Sequence, residues 1–185
     1  MKIGFIIVLY KMPEHEINRL ENEILNLGFK EIKIYFVDNT KNNRGYAGGV
    51  NEGMRRALID KCELLIVANP DISLKNLKAG DILEANKHFG VWGFAMRMHG
   101  KIYYGGEIDR LRMSGGLIDA RTSERFVKRD FVSGSLMCIK RKVIDKVGLF
   151  DENYFMYYED VDFCLRARKA GFRVGIDSKT SYEHF

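Results

Sequence analysis

Leu64-Leu65-Ile66-Val67-Ala68-Asn69-Pro70-Asp71 is an unbroken apolar run that stops abruptly at Asn, Pro and Asp. A strand with one face in water alternates polar and apolar residues; a run without alternation is the pattern of a strand covered on both faces. Upstream, Ile3 to Leu9 is a second continuous run, closing on Tyr10-Lys11, and Ile32 to Val37 reads as a further strand closing on Asp38-Asn39. Between these, Ile17, Leu20, Ile24 and Leu27 fall at helical spacing within Pro13 to Leu27, and Gly28 stands where a helix stop belongs. Asn51 to Leu58 looks helical after a polar, glycine-rich loop, Leu74 to His88 predicts another helix, and Val91 to Met96 another strand. Strand and helix alternate, so the expected fold is α/β, with right-handed crossovers, a mostly parallel central sheet and helices on both faces. In such sheets ligands bind beyond the carboxyl ends of the strands. Tyr10, Asp38, Asn39, Asn69 and Asp71 are therefore expected to share one site. The plainer alternative for any one of them is that Asn, Asp and Pro commonly end strands.

The chain has 185 residues, 46% hydrophobic and 30% charged, which suits one folded domain and excludes a disordered chain. Its net charge of +5 fits a protein that handles phosphorylated small molecules or touches an anionic surface, and falls short of a dedicated nucleic-acid binder. Cys62, Cys138 and Cys164 are widely spaced with no Cys-x-x-Cys pair, against a disulfide framework or thiolate zinc site and in keeping with a reducing cytoplasm. The apolar N-terminus lacks a small-residue cleavage site and regains charge at Lys11, Glu14 and Glu16, so it reads as a buried strand rather than a signal peptide. No stretch approaches the roughly 20 apolar residues that span a bilayer. A cytoplasmic protein is expected, at most peripheral at the inner face of the membrane.

From Arg97 to Arg129 the periodicity fades. Arg97, Lys101, Arg110, Arg112, Arg121, Arg125, Lys128 and Arg129 face only Glu107, Asp109, Asp119 and Glu124, and Gly105, Gly106, Gly115 and Gly116 suggest hairpins or a mobile loop. The stretch is a candidate acceptor or membrane-surface lid, or simply a solvated hairpin. Beyond it, Phe131 to Ile139 reads as a strand, Arg141 to Val147 as a short helix stopped by Gly148, and Glu159 to Ala170 as a helix stopped by Gly171.

Several constellations can carry chemistry. The loop from Asn42 to Gly53 has the glycines that let backbone N–H groups approach an anion, with Arg44 as an added cation; it is neither a P-loop nor a dinucleotide fingerprint. Asp71, at a strand end, is placed to hold Mg2+ or Mn2+, or else to cap the turn that Pro70 opens. Glu159, Asp160 and Asp162 crowd a helix start behind the aromatic run Phe155-Met156-Tyr157-Tyr158. The helix dipole accounts for some of this, and an Asp162–Arg166 surface pair for Asp162. Burial of Glu159 or Asp160 beside the other acid would raise a carboxyl pKa, as a general base needs. His184 has no local context that marks it as a ligand.

In order, Ile7-Val8-Leu9-Tyr10, Val37-Asp38-Asn39, Asn43-Arg44-Gly45-Tyr46-Ala47-Gly48-Gly49-Val50-Asn51, Asn69-Pro70-Asp71, Gly148-Leu149-Phe150-Asp151-Glu152, Phe155 to Asp162 and Tyr182-Glu183-His184 resemble the family 2 glycosyltransferases of GT-A fold. The likeness is greatest to the rhamnosyltransferase-like branch. It covers nearly the whole chain and implies a single GT-A domain, with a nucleotide-binding half over about 1–96 and an acceptor and catalytic half over about 97–185. It implies an inverting transfer from a nucleoside-diphosphate sugar to a glycan or polyprenyl-linked acceptor, in cell-surface polysaccharide biosynthesis. Asp38 would lie against the nucleotide base with Asn39 nearby, and the Arg44-to-Asn51 loop, including Gly45, would cover the nucleotide; Tyr10 and Asn69 complete the donor set. Asp71 matches the last acid of the family's metal motif, His184 a histidine that completes the metal site in some relatives, and Asp160 the catalytic base, with Glu159 as the alternative. The sequence departs from the family where Lys11 stands for a frequent Asn and Asn69 for the first acid of the metal motif, and relatives usually continue past the counterpart of Phe185. A sugar nucleotidyltransferase is the rival enzyme, though it should carry a glycine-rich basic loop where Tyr10-Lys11-Met12-Pro13 stands. A non-catalytic nucleotide-sugar-binding subunit is the rival of another class.

Overall fold

The computed structural model describes residues 1–109, 111 and 114–185. Arg110 and Arg112, two cations of the basic stretch, lie outside them. The elements run β1 (Ile3–Leu9), α1 (Glu14–Leu25), β2 (Ile32–Asp38), α2 (Gly45–Ile59), β3 (Leu64–Ala68), β4 (Ile72–Ser73), α3 (Ala79–Asn86), β5 (Val91–Met98) and β6 (Lys101–Tyr103). There follow β7 (Gly106–Asp109), β8 (Ser114–Leu117), β9 (Phe126–Lys128), β10 (Leu136–Lys140), α4 (Arg141–Val147), α5 (Glu159–Lys169) and β11 (Val174–His184).

The main sheet has the order β2-β1-β3-β10-β5-β11-β4, with β6 beside β5 and β9 beside β11; β7 and β8 form a separate hairpin. β1 runs parallel to β2 and β3, and β11 parallel to β5, while β10 is antiparallel to both of its neighbours. The expected mostly parallel sheet is therefore present at its centre, with β10 reversed inside it and the short strands β4, β6 and β9 antiparallel at its margins. β1, β2, β3, β5 and β11 consequently all end at the same edge.

Alternate residues of each central strand feed two cores. Ile3, Phe5 and Ile7 of β1 and Leu64 and Ile66 of β3 pack with Leu20 and Ile24 of α1 and Ile82 of α3. Ile6, Val8, Leu65 and Val67 pack with Val50 and Met54 of α2, Val143 of α4 and Phe163 of α5. Both faces are covered, which is why these strands read as unbroken apolar runs. Among the described residues no helix is long and apolar enough to cross a membrane.

Three expectations are corrected. The glycine-rich loop is helix from Gly45 onward, because its glycines serve close packing: a Cβ on Gly53 would sit 2.4 Å from Ile6 Cγ2, and one on Gly49 2.7 Å from Val8 Cγ1. Glycine's intrinsic cost in a helix, about 1 kcal/mol, is offset here by the burial of α2 directly on β1. The helix expected from Leu74 begins only at Ala79, and the strand expected from Phe131 begins only at Leu136. Ser133-Gly134-Ser135 makes a turn before that strand, with Ser133 Oγ accepting from Ser135 N at 3.2 Å.

Candidate active site

The shared edge of the sheet carries two adjoining cavities. The first, about 380 Å³, is lined by Tyr10, Asn39, Gly45 and Tyr46 among others. The second, about 370 Å³, is lined by Ser133, Gly134, Glu159, Asp160 and His184 among others. Tyr46, Asn69, Asp71 and Met156 line both and so form their common wall.

Strand ends supply one side of this wall. Asn69 N donates to Ser135 O at 2.9 Å, which ties the end of β3 to the start of β10. β11 pairs with β4 through Glu183 and His184, and Phe185 N donates to Asp71 O at 3.0 Å. The ladder thereby holds His184 Nε2 3.4 Å from Asp71 Oδ1 and 3.5 Å from Asn69 Nδ2. Asp71 Oδ1 and His184 Nδ1 are both buried without a hydrogen-bond partner. Burial acts to raise the Asp71 carboxyl, but the facing His184 imidazole, the Asp71 backbone and the Asn69 side chain together hold Asp71 below its ordinary value. An ionised carboxylate oxygen and an imidazole nitrogen converging in one cavity suit Mn2+ or Mg2+. Among the described residues no group of three or more His, Cys, Asp or Glu side chains could hold a metal alone. Asp71 and His184 could therefore supply two ligands, with the remaining positions left to oxygens of a bound molecule or water.

The start of α5 supplies the opposite side. Tyr157 and Tyr158 both have φ of 70°, a left-handed backbone that costs non-glycine residues about 1–2 kcal/mol each. This sharp entry delivers Glu159 and Asp160 into the cavity. Asp160 Oδ2 accepts from Gly134 N at 2.8 Å and Oδ1 from Val161 N at 2.8 Å. Even with these donors, burial raises the Asp160 carboxyl above its ordinary value. Glu159 is 5% exposed, its Oε2 has no partner, and burial, with the neighbouring Asp160 charge adding to it, pushes its carboxyl up to about 7. Asp162 bonds Arg166 at 2.8 Å, the helix-surface pair its spacing suggested.

Tyr46 bridges the two sides. Its hydroxyl donates to Gly134 O at 2.7 Å, so the peptide units flanking Gly134 connect α2 to Asp160. Burial first, then the Glu159 and Asp160 charges, push the Tyr46 phenol well above its ordinary value, which keeps it a donor. Nothing in residue type or spacing marked Tyr46 or the Ser133–Ser135 turn.

The remaining site candidates are distributed unevenly. Asn39 is buried, its Nδ2 donates to Gly45 O at 2.8 Å and its Oδ1 is unpartnered. Tyr10 lies exposed on the rim of the first cavity. Asp38 is exposed at the end of β2, outside both cavities, and its Oδ1 accepts from Thr40 N at 2.8 Å. Arg44 precedes α2 and is paired with Glu52. Asn51 is buried away from both cavities: Nδ2 donates to Phe150 O at 2.9 Å and Oδ1 accepts from Phe150 N at 3.0 Å.

No protein-family model matches the chain. Over 152 residues it is 28% identical to the low-salt glycan biosynthesis hexosyltransferase Agl10 of Haloferax volcanii, covering 77% of this chain and 48% of that protein. Over 41 residues it is 51% identical to the N-acetylglucosaminyl-diphospho-decaprenol L-rhamnosyltransferase of Mycobacterium tuberculosis, covering 22% of this chain and 13% of that one. The solved structure of the mannosyltransferase PcManGT from Pyrobaculum calidifontis, in complex with GDP-Man and Mn2+, superposes with a TM-score of 0.66 at 12% identity, over 99% of this chain and 56% of that one. The chain has the GT-A fold, and its sequence is similar to named hexosyl- and rhamnosyltransferases. The resemblance to the family 2 enzymes of that branch is thus supported by its curated relatives, both of them glycosyltransferases by name, and the fold by a solved one. This GT-A domain matches about half the length of the Haloferax relative.

Proposed function

We propose that this GT-A domain catalyses an inverting, metal-assisted transfer of a sugar from a nucleoside diphosphate to a glycan or polyprenyl-linked acceptor. The observation that carries the reading is the meeting, in one cavity, of Asp71 and His184 from strand ends with Asp160 from the start of a helix. The nucleotide occupies the first cavity, where the unpartnered Asn39 Oδ1 is free to accept a hydrogen bond. Residues 1–96 serve chiefly the donor, and 97–185 the acceptor and the base.

Inversion is a single displacement at the anomeric carbon. The acceptor hydroxyl oxygen forms the new bond, the bond to the diphosphate oxygen breaks, and the hydroxyl proton passes to a base. Asp160 is that base: two backbone N–H groups fix its carboxylate, and its raised pKa makes it a better proton acceptor than an exposed aspartate. Glu159, close to half-protonated at neutral pH, adds little competing negative charge beside it. Asp71 and His184 would hold a Mn2+ or Mg2+ ion, which stabilises charge on the leaving diphosphate. Asp160→Asn keeps the shape and removes the base. Transfer should fall by roughly 10²–10⁴-fold, the usual contribution of general base catalysis, while stabilisation by a nucleoside diphosphate with Mn2+ is unchanged. Undiminished transfer would remove Asp160 from the role.

A further inference from the structure

A third cavity, about 340 Å³, continues the row past His184. It is lined by Arg97, His99, Lys101 and Glu183, and it shares His184 and Phe185 with the second. We propose that this cavity is an anion subsite that receives the phosphate or diphosphate group of the acceptor. The assignment rests on the transferase reading above and gives that acceptor a chemical class.

The basic stretch that stood out in the sequence divides by place in the fold. Arg125 is bound to the fully buried Asp177, with Nε at 3.0 Å and Nη2 at 2.9 Å from Oδ2. Lys128 and Arg129 line a separate cavity beside Val174, at the other end of β11 from His184. Arg97 and Lys101 are the cations of this stretch, among the described residues, that line the row of cavities.

The hairpin that carries them is well defined. His99 and Gly100 form the two-residue turn between β5 and β6 with φ of 49° and 76°, the double positive φ that matches the twist of paired strands. Arg97 Nε donates to Ser181 Oγ at 3.1 Å, beyond the register shift of β11 between Asp177 and Ser181. Both terminal guanidinium nitrogens of Arg97 are without a partner among the described residues, and they make the planar fork that fits phosphate oxygens. Lys101 Nζ is 3.9 Å from Asp119 with both side chains 63% exposed, a pair too loose and too solvated to occupy it. Glu183 lies beside Arg97 in the ladder, yet the two make no ion pair. The cations therefore outnumber the acid in the lining.

Position identifies the ligand. The donor diphosphate is served from the other side of His184, by Asp71 and the ion it would hold. A cationic spot beyond the reacting centre faces the incoming acceptor, and an uncharged glycan would need no cations there.

Backbone-amide NMR of the whole chain tests this, with inorganic pyrophosphate titrated in the presence of a chelator. Amides of residues 97–102 and 181–185 should move, and the dissociation constant should rise about fivefold or more in an R97Q/K101Q variant, which removes two charge-assisted contacts at exposed positions. Movement confined to the first cavity, or equal affinity in the variant, overturns the subsite. UDP with Mg2+ in a parallel sample reads the first cavity through Tyr10, Asn39 and Gly45. Loss of that response alone sinks the transferase reading, and loss of the hairpin response alone sinks the subsite. Vesicles of phosphatidylcholine with about one third phosphatidylglycerol separate the sources of phosphate. Variant-sensitive vesicle binding without a pyrophosphate response would assign the hairpin to a lipid surface and overturn the acceptor assignment.

Discussion

Two pairs of titratable groups face each other across one cavity, and their surroundings drive them in opposite directions. Asp71 lies opposite an imidazole and is held below the ordinary aspartate value. Glu159 and Asp160 have no cationic partner and are raised by burial. The difference lies in how each pair is mounted. Asp71 and His184 sit at sheet ends that a ladder aligns, so the carboxylate faces an imidazole nitrogen. Glu159 and Asp160 sit on a helix start, where the dipole contributes only about 0.3–1 kcal/mol toward ionisation and burial outweighs it. One side can hold a cation while the other can take a proton, the division that a displacement with an anionic leaving group requires.

Asp71→Ala breaks one side of this contrast outright. It should abolish the added stabilisation that Mn2+ confers with a nucleoside diphosphate, about 2.7 kcal/mol at a hundredfold excess of ligand over its dissociation constant. A thermal-shift series with and without Mn2+ reads this directly; an intact Mn2+ increment would mean that other groups bind the ion.

Glu159→Gln sharpens the other side. The folded state holds the Glu159 proton more tightly than the unfolded chain, whose carboxyl titrates near 4.5, so wild-type stability should fall as pH rises from about 4.5 through about 7. The variant lacks that loss and should exceed wild type by up to about 3 kcal/mol at pH 8, with no such advantage at pH 4. Urea unfolding at the two values is the measurement, and a constant difference across pH would show that Glu159 titrates normally.

The smallest effect belongs to the bridge. Tyr46→Phe removes the hydroxyl from Gly134 O and should cost about 1 kcal/mol of stability. Because Gly134 N orients Asp160, kcat should fall about tenfold, roughly 1.4 kcal/mol of barrier, with the donor KM little changed. An unchanged kcat alongside the lost stability would reduce Tyr46 to a structural bond.

Much of this was legible in one dimension. The runs Ile3–Leu9 and Leu64–Ala68 are buried strands as their patterns implied, since burial on both faces leaves no room for polar residues. β11 was hidden because Val174–His184 mixes Asp, Ser, Lys and Thr into a strand with a register shift, and its buried Asp177 is balanced by Arg125 from a distant segment. The first turns of α2, before Asn51, were hidden because glycine signals a loop when judged locally, and at Gly49 it permits contact with Val8.

The sequence by itself determined the strand–helix alternation, the common edge where polar strand ends gather, and the residue types able to bind an ion or take a proton. Those follow from hydrophobic spacing and turn chemistry, which act over a few residues. Only the tertiary structure decided that His184 faces Asp71, that Asn51 turns inward to Phe150, that Tyr46 reaches Asp160 through Gly134, and that Arg97 and Lys101 line a cavity beside His184. Those relations depend on strand order and register, which bring together residues 88 to 115 positions apart in the chain; spacing along the chain carries no trace of them.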